Sequence, residues 1–123
     1  MPVDTQELVD QAAKLGQLLK DHPSVERFRS AQKAVAEDIE ASRMLAEFDR
    51  QAETLVRQEQ QGRPVSDAQR MQLESLQSKI VSHIKIKNLN LAHMEFTDLL
   101  RKIGDAYKRP AMESISASAP KPA

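Results

Sequence analysis

Two of the three histidines of this chain, His83 and His93, flank the stretch SHIKIKNLNLAH. Imidazoles on one helical face can hold a metal ion, but they need a spacing of three or four residues. Ten residues at about 100° each leave His83 and His93 about 80° apart around a straight helix. The carboxylate nearest to His93, Glu95, falls on another face, and His22 sits in a turn. No metal site is expected.

The other reactive side chains form no working set. Asp38 with Glu37 or Glu40 does not share a helical face, and Glu47, Asp49 and Glu53 lie on a polar side. A carboxylate pair needs burial before one member can act as an acid at neutral pH. Ser24, Ser82 and Thr97 have no neighbouring base in a nucleophile arrangement. Gly16, Gly62 and Gly104 are too far apart for a phosphate-cradling loop. The chain is read as a non-enzyme without a cofactor.

Charge offers one further chemistry. The 18 basic and 18 acidic residues balance, which excludes a strong general pull toward nucleic acid or anionic membrane. Their distribution is uneven: residues 1–78 sum to −4 and residues 79–109 to +4. Lys79, Lys85, Lys87, Arg101, Lys102, Lys108 and Arg109 could meet RNA phosphates, which makes RNA binding through residues 79–109 the alternative reading. Phe28, Phe48, Phe96 and Tyr107 are the only aromatics, so base-stacking platforms are lacking. The same charges can draw an acidic and a basic part together, within a bundle or between copies. The plainest reading is a solvated charged surface.

The elements that position these residues read as helices. The 123 residues suit one domain with a modest, aliphatic core. There is no cysteine, hence no disulfide and no thiolate ligand. The opening MPVDTQELVD is acidic and has no apolar signal region, and no apolar run approaches ~20 residues. A cytoplasmic protein is expected.

Asp4 and Glu7 can cap a first helix whose stripe is Leu8, Ala12, Leu15 and Leu19. Gly16 within it costs about 1 kcal/mol relative to alanine, offset by a close backbone neighbour or simply tolerated on the surface. Asp21-His22-Pro23 ends that helix, with Ser24 or His22 capping the next, which carries Val25, Phe28, Ala31 and Val35. Asp38 can cap a third helix at Ile39. Ala41, Leu45, Phe48, Ala52 and Leu55 then keep a heptad spacing, the narrow seam that pairs with another helix.

Gly62 and Pro64 break the chain, and Ser66 with Gln69 forms another capping box, so the next helix returns antiparallel. Leu73, Leu76, Ile80 and Ile84 line its inner face. Leu89, Ala92, Phe96, Leu99 and Ile103 continue that stripe one residue out of register, widened by Leu100 and Tyr107. The apolar alternation between Ile84 and Leu91 marks the slip. A lone strand would have no partner there. A kink, a short break capped by Asn88 or Asn90, or one bent helix are the open readings. Residues 1–108 form the helical domain, and the Ala-, Ser- and Pro-rich segment 109–123 is expected to be disordered.

The order of these residues resembles the bacterial YlbF/YmcA/YheA family of small helical regulators. The likeness runs from Ala13, Leu15 and Gly16, through Phe28, Ala31, Asp38, Glu40, Ala41, Leu45, Glu47 and Phe48, to Gln58-Glu59-Gln60-Gln61-Gly62. It ends with Phe96, Leu99, Leu100 and Ile103, and spans residues 8–107. It implies an all-helical fold and a non-enzymatic role in homo- or hetero-oligomers. Some members act in a complex that modulates an endoribonuclease of messenger RNA decay and so influence development. Some bind an iron–sulfur cluster through cysteines, which does not carry over to a cysteine-free chain. Many open the last helix with Asn-Pro, where this chain has Lys87-Asn88-Leu89-Asn90.

The resulting expectation is an all-α antiparallel bundle of four to five helices, with a long central hairpin turning at Gly62-Pro64. Leu45, Phe48, Leu55, Leu76, Ile80 and Phe96 form its packing or interaction seam. The expected partners are a second copy, a related subunit or a ribonuclease-associated protein complex. Neither a membrane nor nucleic acid is the expected partner.

Overall fold

The chain is described by a computed structural model covering residues 2–118. These residues form five helices: α1 (Thr5–Leu19), α2 (Pro23–Glu37), α3 (Ile39–Gln60), α4 (Asp67–Ser82) and α5 (Ile84–Ser118). No strand occurs among the described residues. The all-α expectation holds, with the hairpin turn between α3 and α4 where Gly62 and Pro64 placed it.

That turn is built by local chemistry. Gly62 takes φ +72°, a conformation that favours glycine. The Arg63 N–H then donates to the Gln58 carbonyl at 2.8 Å and the Gly62 N–H to the Glu59 carbonyl at 3.1 Å. This paired return of bonds satisfies carbonyls that the helix end would otherwise leave open. Beyond Pro64, the Ser66 hydroxyl accepts from the Gln69 N–H, and the Gln69 side chain accepts from the Ser66 N–H. Both halves of the capping box close, and α4 starts there.

α3 packs on α4, and α2 on α5. The α2–α5 pair is antiparallel. Val35, late in α2, joins Ile86, early in α5, in one cluster. Phe28, about two turns earlier in α2, meets His93 and Phe96 with ring centroids 5.4 Å apart in each case. The chain is therefore one long hairpin with two arms. The first arm is α2 then α3, broken at Asp38; the second is α4 then α5, broken at His83. The two breaks lie at the same height, and the core sits there. Val35, Ala41, Ile80 and Ile86 are buried, with Met44, Leu45, Phe48, Leu76 and Leu89 packed against them.

Three expectations change. The break in the second arm is at His83, and Asn88 and Asn90 lie inside α5. The alternation around it is no strand signal. Ile86 is 4% exposed while Ile84 and Leu91 are 65% and 59% exposed. Helical spacing, 86 to 89 to 92, selects the inward residues. Ile84 accordingly belongs to the first turn of α5 and not to the inner face of α4. The expected disorder from residue 109 also differs: residues 109–118 continue α5 through Pro110. Pro110 removes one helical N–H and costs about 3 kcal/mol there, and good formers such as Ala111, Met112 and Glu113 carry the helix on beyond it. The part of that segment from residue 119 to 123 lies outside the described residues.

Coverage is thin. The accessible surface is 9972 Å² for 13.8 kDa. A compact monomer of this mass exposes about 6,600 Å² by the usual scaling of surface with size. α1 has no buried residue; Leu15 and Leu19 are half-covered while Leu8 and Ala12 are exposed. A Cβ on Gly16 would meet open space, so the surface-tolerated reading of that glycine applies.

Candidate protein-interaction surface

The two arm breaks are built alike, each from a single residue. Asp38 and His83 both adopt extended backbone, at φ −88°, ψ 116° and φ −71°, ψ 126°. Each ends one helix and caps the next. The Asp38 N–H donates to the Val35 carbonyl, and the His83 N–H to the Ile80 carbonyl, both at 3.1 Å. The Asp38 carboxylate accepts from the Ala41 N–H at 2.8 Å. The His83 Nδ1 accepts from the Lys85 N–H at 3.2 Å. The Ser42 hydroxyl reaches back to the Val35 carbonyl at 3.1 Å, covering the end of α2.

The two breaks also touch each other. Asp38 lies 3.1 Å from the Lys85 Nζ and 3.5 Å from the His83 Nε2. The starts of α3 and α5 meet here, and their dipoles favour an anion. The Ala41 N–H, and then Lys85, hold the Asp38 carboxyl below its ordinary value of 3.8. Asp38 side-chain exposure is 19% and that of His83 is 12%, so this contact is partly screened from water. Its geometry ties the start of α3 to the start of α5.

Other titratable residues are placed apart. His93 packs against Phe28 with the rings inclined at 60°, and His22 accepts from the Ser24 N–H through Nδ1 at 3.0 Å, capping α2. Among the described residues no three or more His, Asp or Glu side chains converge on a possible ion. Glu47 is engaged by Arg50 and then Gln51 on its own helix, which lowers its carboxyl to about 2. Of the basic set, Lys85 pairs with Asp38, Lys102 with Asp98, and Arg101 with Asp98 and Asp105. Ser82 donates to the Ser78 carbonyl within α4, and Ser24 lies buried beside Arg27.

The seam residues fall into three places. Leu45, Phe48 and Leu76 pack against the buried group that contains Ile80. Leu55 is half-buried nearer the hairpin tip, lining a groove with Arg50, Gln51 and Gln69. Phe96 is on the other side of the breaks, edge-on to Phe28. They are not one surface. Outward apolar residues are others, among them Leu8, Val9 and Leu18 on α1, Ile39 and Val56 on α3, Met71 and Val81 on α4, and Leu91, Met94 and Tyr107 on α5. Sequence reasoning missed the role of His83 because no proline follows it to mark a helix start, as Pro23 does after His22. The available signal was the register slip beginning at that residue.

Comparison with known proteins bears on this arrangement. The family described as control of competence regulator ComK, YlbF/YmcA, matches residues 8–110. The chain belongs to the YlbF/YmcA family. Its fold resembles the crystal structure of Bacillus subtilis RicA in complex with RicF. The TM-score is 0.80 at 18% identity, covering 91% of this chain and 99% of that one. It also resembles a DUF964 protein of unknown function from Bacillus stearothermophilus, with TM-score 0.69, 16% identity and coverage of 92% and 99%. A search of curated proteins found no match. At these identities the likeness to solved structures shows the fold of this YlbF/YmcA member. No helix among its described residues is long and apolar enough to cross a membrane.

Proposed function

We propose that this YlbF/YmcA-family chain is a non-enzymatic regulatory subunit that works by binding other proteins along its helices. The observation that carries the reading is the surplus of accessible surface, 9972 Å² against the ~6,600 Å² of a compact monomer. That surplus, about 3,400 Å², is the size of a permanent protein–protein interface. Large exposed apolar side chains lie on α1 (Leu8, Val9, Leu18) and along α5 (Leu91, Met94, Tyr107). Patches of this kind mark association surfaces when they are contiguous. Family membership supports the same role, as does the likeness to RicA, which was crystallised in complex with RicF.

Within that reading the partner is a related subunit or a ribonuclease-associated complex, in the cytoplasm, controlling RNA decay or a developmental switch. The alternative, RNA binding through residues 79–109, loses support because Lys85, Arg101 and Lys102 are already held by carboxylates. Affinity purification of the full chain from its native cell, with mass spectrometry, tests the proposal. Recovery of a ribonuclease-containing complex is the expected result. Recovery of no protein at a stable ratio to the chain would refute the role.

A further inference from the structure

The helix starts are capped in two chemically different ways. α1, α3 and α4 begin on an oxygen: Asp4, Asp38 and Ser66 accept from the N–H three residues on, at Glu7, Ala41 and Gln69. α2 and α5 begin on an imidazole. His22 Nδ1 accepts from the Ser24 N–H at 3.0 Å, and His83 Nδ1 from the Lys85 N–H at 3.2 Å, each two residues on. The carbonyls of both histidines then take the first helical bonds, from Glu26 and Lys87. α2 and α5 are also the two helices that pack on each other.

A proton affects the two kinds of cap differently. A serine hydroxyl has no charge to change near neutral pH, and a carboxylate is ordinarily ionised there. Histidine is the side chain that changes charge between about pH 5 and 8. A ring nitrogen that accepts a hydrogen bond carries no hydrogen, so each imidazole acts as a cap in its neutral form, with the hydrogen on Nε2. A proton added at Nδ1 turns that acceptor into a donor. The Ser24 or Lys85 N–H then faces another N–H, and a positive charge sits at the positive end of a helix dipole.

The surrounding charges do not restore the lost acceptor. Around His83, the α2–α3 break contributes Asp38, 3.5 Å from Nε2, and α5 contributes Lys85, whose ammonium lies 3.1 Å from the same carboxylate. α4 contributes Lys79, exposed one turn back. Asp38 faces Nε2 and not Nδ1, and it already accepts from the Ala41 N–H. Around His22, Lys20 and Asp21 precede the ring in the chain, and α2 follows with Glu26 and Arg27. Glu26 is bonded to Arg29, and Arg27 to Glu95 of α5.

We infer that the α2–α5 pair is proton-sensitive at both of its helix starts, whereas the α3–α4 hairpin is not. Proton uptake by His22 and His83 removes the two imidazole caps together. These starts lie at opposite ends of the antiparallel contact, so the pair loosens from both ends. The contribution of the caps is present at the upper side of the histidine range and is lost as pH falls from about 8 to 5. This device is independent of which partner the chain binds.

Nuclear magnetic resonance of the full-length, nitrogen-labelled chain, titrated from about pH 8 to 5, tests the inference. At the upper end the ring-nitrogen spectrum should show His22 and His83 unprotonated at Nδ1. On acidification the Ser24 and Lys85 N–H signals should shift in step with their own imidazoles. Those of Glu7 and Gln69, on oxygen caps, should hold still. Urea unfolding supplies a second measure against the His22→Asn/His83→Asn chain, whose asparagine caps accept without titrating. Over the same range the wild-type unfolding constant should rise about tenfold more than that of the variant. His93 is common to both chains and cancels.

A protonated Nδ1 on either ring at the upper end would overturn the inference. So would Ser24 and Lys85 signals as still as those of Glu7 and Gln69. A wild type that holds or gains stability on the variant as pH falls would also overturn it, because the attraction of Asp38 would then outweigh the lost caps. The wild-type spectra decide the matter even where the double variant does not fold.

Discussion

The arm breaks and the chain ends carry similar sequence and meet different fates. Leu73, Leu76 and Ile80 on α4 and Leu8, Ala12, Leu15 and Leu19 on α1 are both amphipathic stripes at helical spacing. At the breaks four helices converge, and Ala41 is 0% exposed. At the ends one or two helices remain, and Leu8 and Tyr107 face water. Pattern decides which face of a helix wants cover. Whether cover arrives depends on how many other helices the chain can bring to that height. This chain brings enough only at one level.

The largest test of that contrast is truncation at the breaks. Ile80→Ala and Ile86→Ala should each cost about 2–5 kcal/mol in urea unfolding, because each removes buried carbon and leaves a cavity. A loss below about 1 kcal/mol would mean that the breaks are no better packed than the ends. Next, Ala41→Leu should cost about 1–3 kcal/mol by overfilling a site with no exposed surface. A neutral result would show slack in the core.

Gly62→Ala tests the hairpin turn that holds the two arms in register. The strain of an L-residue at φ +72° should cost about 1–2 kcal/mol, read by the same unfolding curves. The electrostatic link between the breaks should show in pH. Asp38 is held below 3.8 in the folded chain, so its contribution is present above that value and fades as pH falls through the folded one. The stability gap between wild type and Asp38→Asn should therefore shrink as pH is lowered from about 5 toward 2, following thermal unfolding. A constant gap would mean that Asp38 acts as a neutral cap alone.

The smallest expected effect sharpens the other side of the contrast. Leu8→Ala should change the unfolding free energy of α2–α5 by no more than about 0.5 kcal/mol at concentrations where the chain is monomeric. A larger loss there would show that α1 braces its own chain.

Much of this architecture was legible because it is local. Asp4 accepts from the Glu7 N–H, Asp38 from Ala41, and Ser66 and Gln69 from each other, as short polar side chains before an apolar stripe imply. Gly62 and Pro64 fixed the turn for the same reason. His83 was not legible, since no proline marks the following helix start as Pro23 does after His22, and the alternation beside it imitates a strand. Nor was the meeting of Asp38 with His83 and Lys85, which requires knowing that both arms break at one height. The stripe on α1 was read correctly as a stripe. Its exposure was hidden because periodicity says nothing about supply of neighbours. Phe96 was grouped with Leu45 and Phe48 on periodicity alone, and tertiary placement separates them.

The single-residue breaks have a mechanical consequence. A continuous helix resists bending because its ladder of backbone bonds must stretch. Here that ladder is already interrupted on both arms at one level, between Val35 and Ala41 and between Ile80 and Lys85. The angle between the upper and lower halves of the molecule is thus set by a carboxylate, an imidazole, an ammonium and a few methyl groups. It is an elbow whose stiffness is written in side chains.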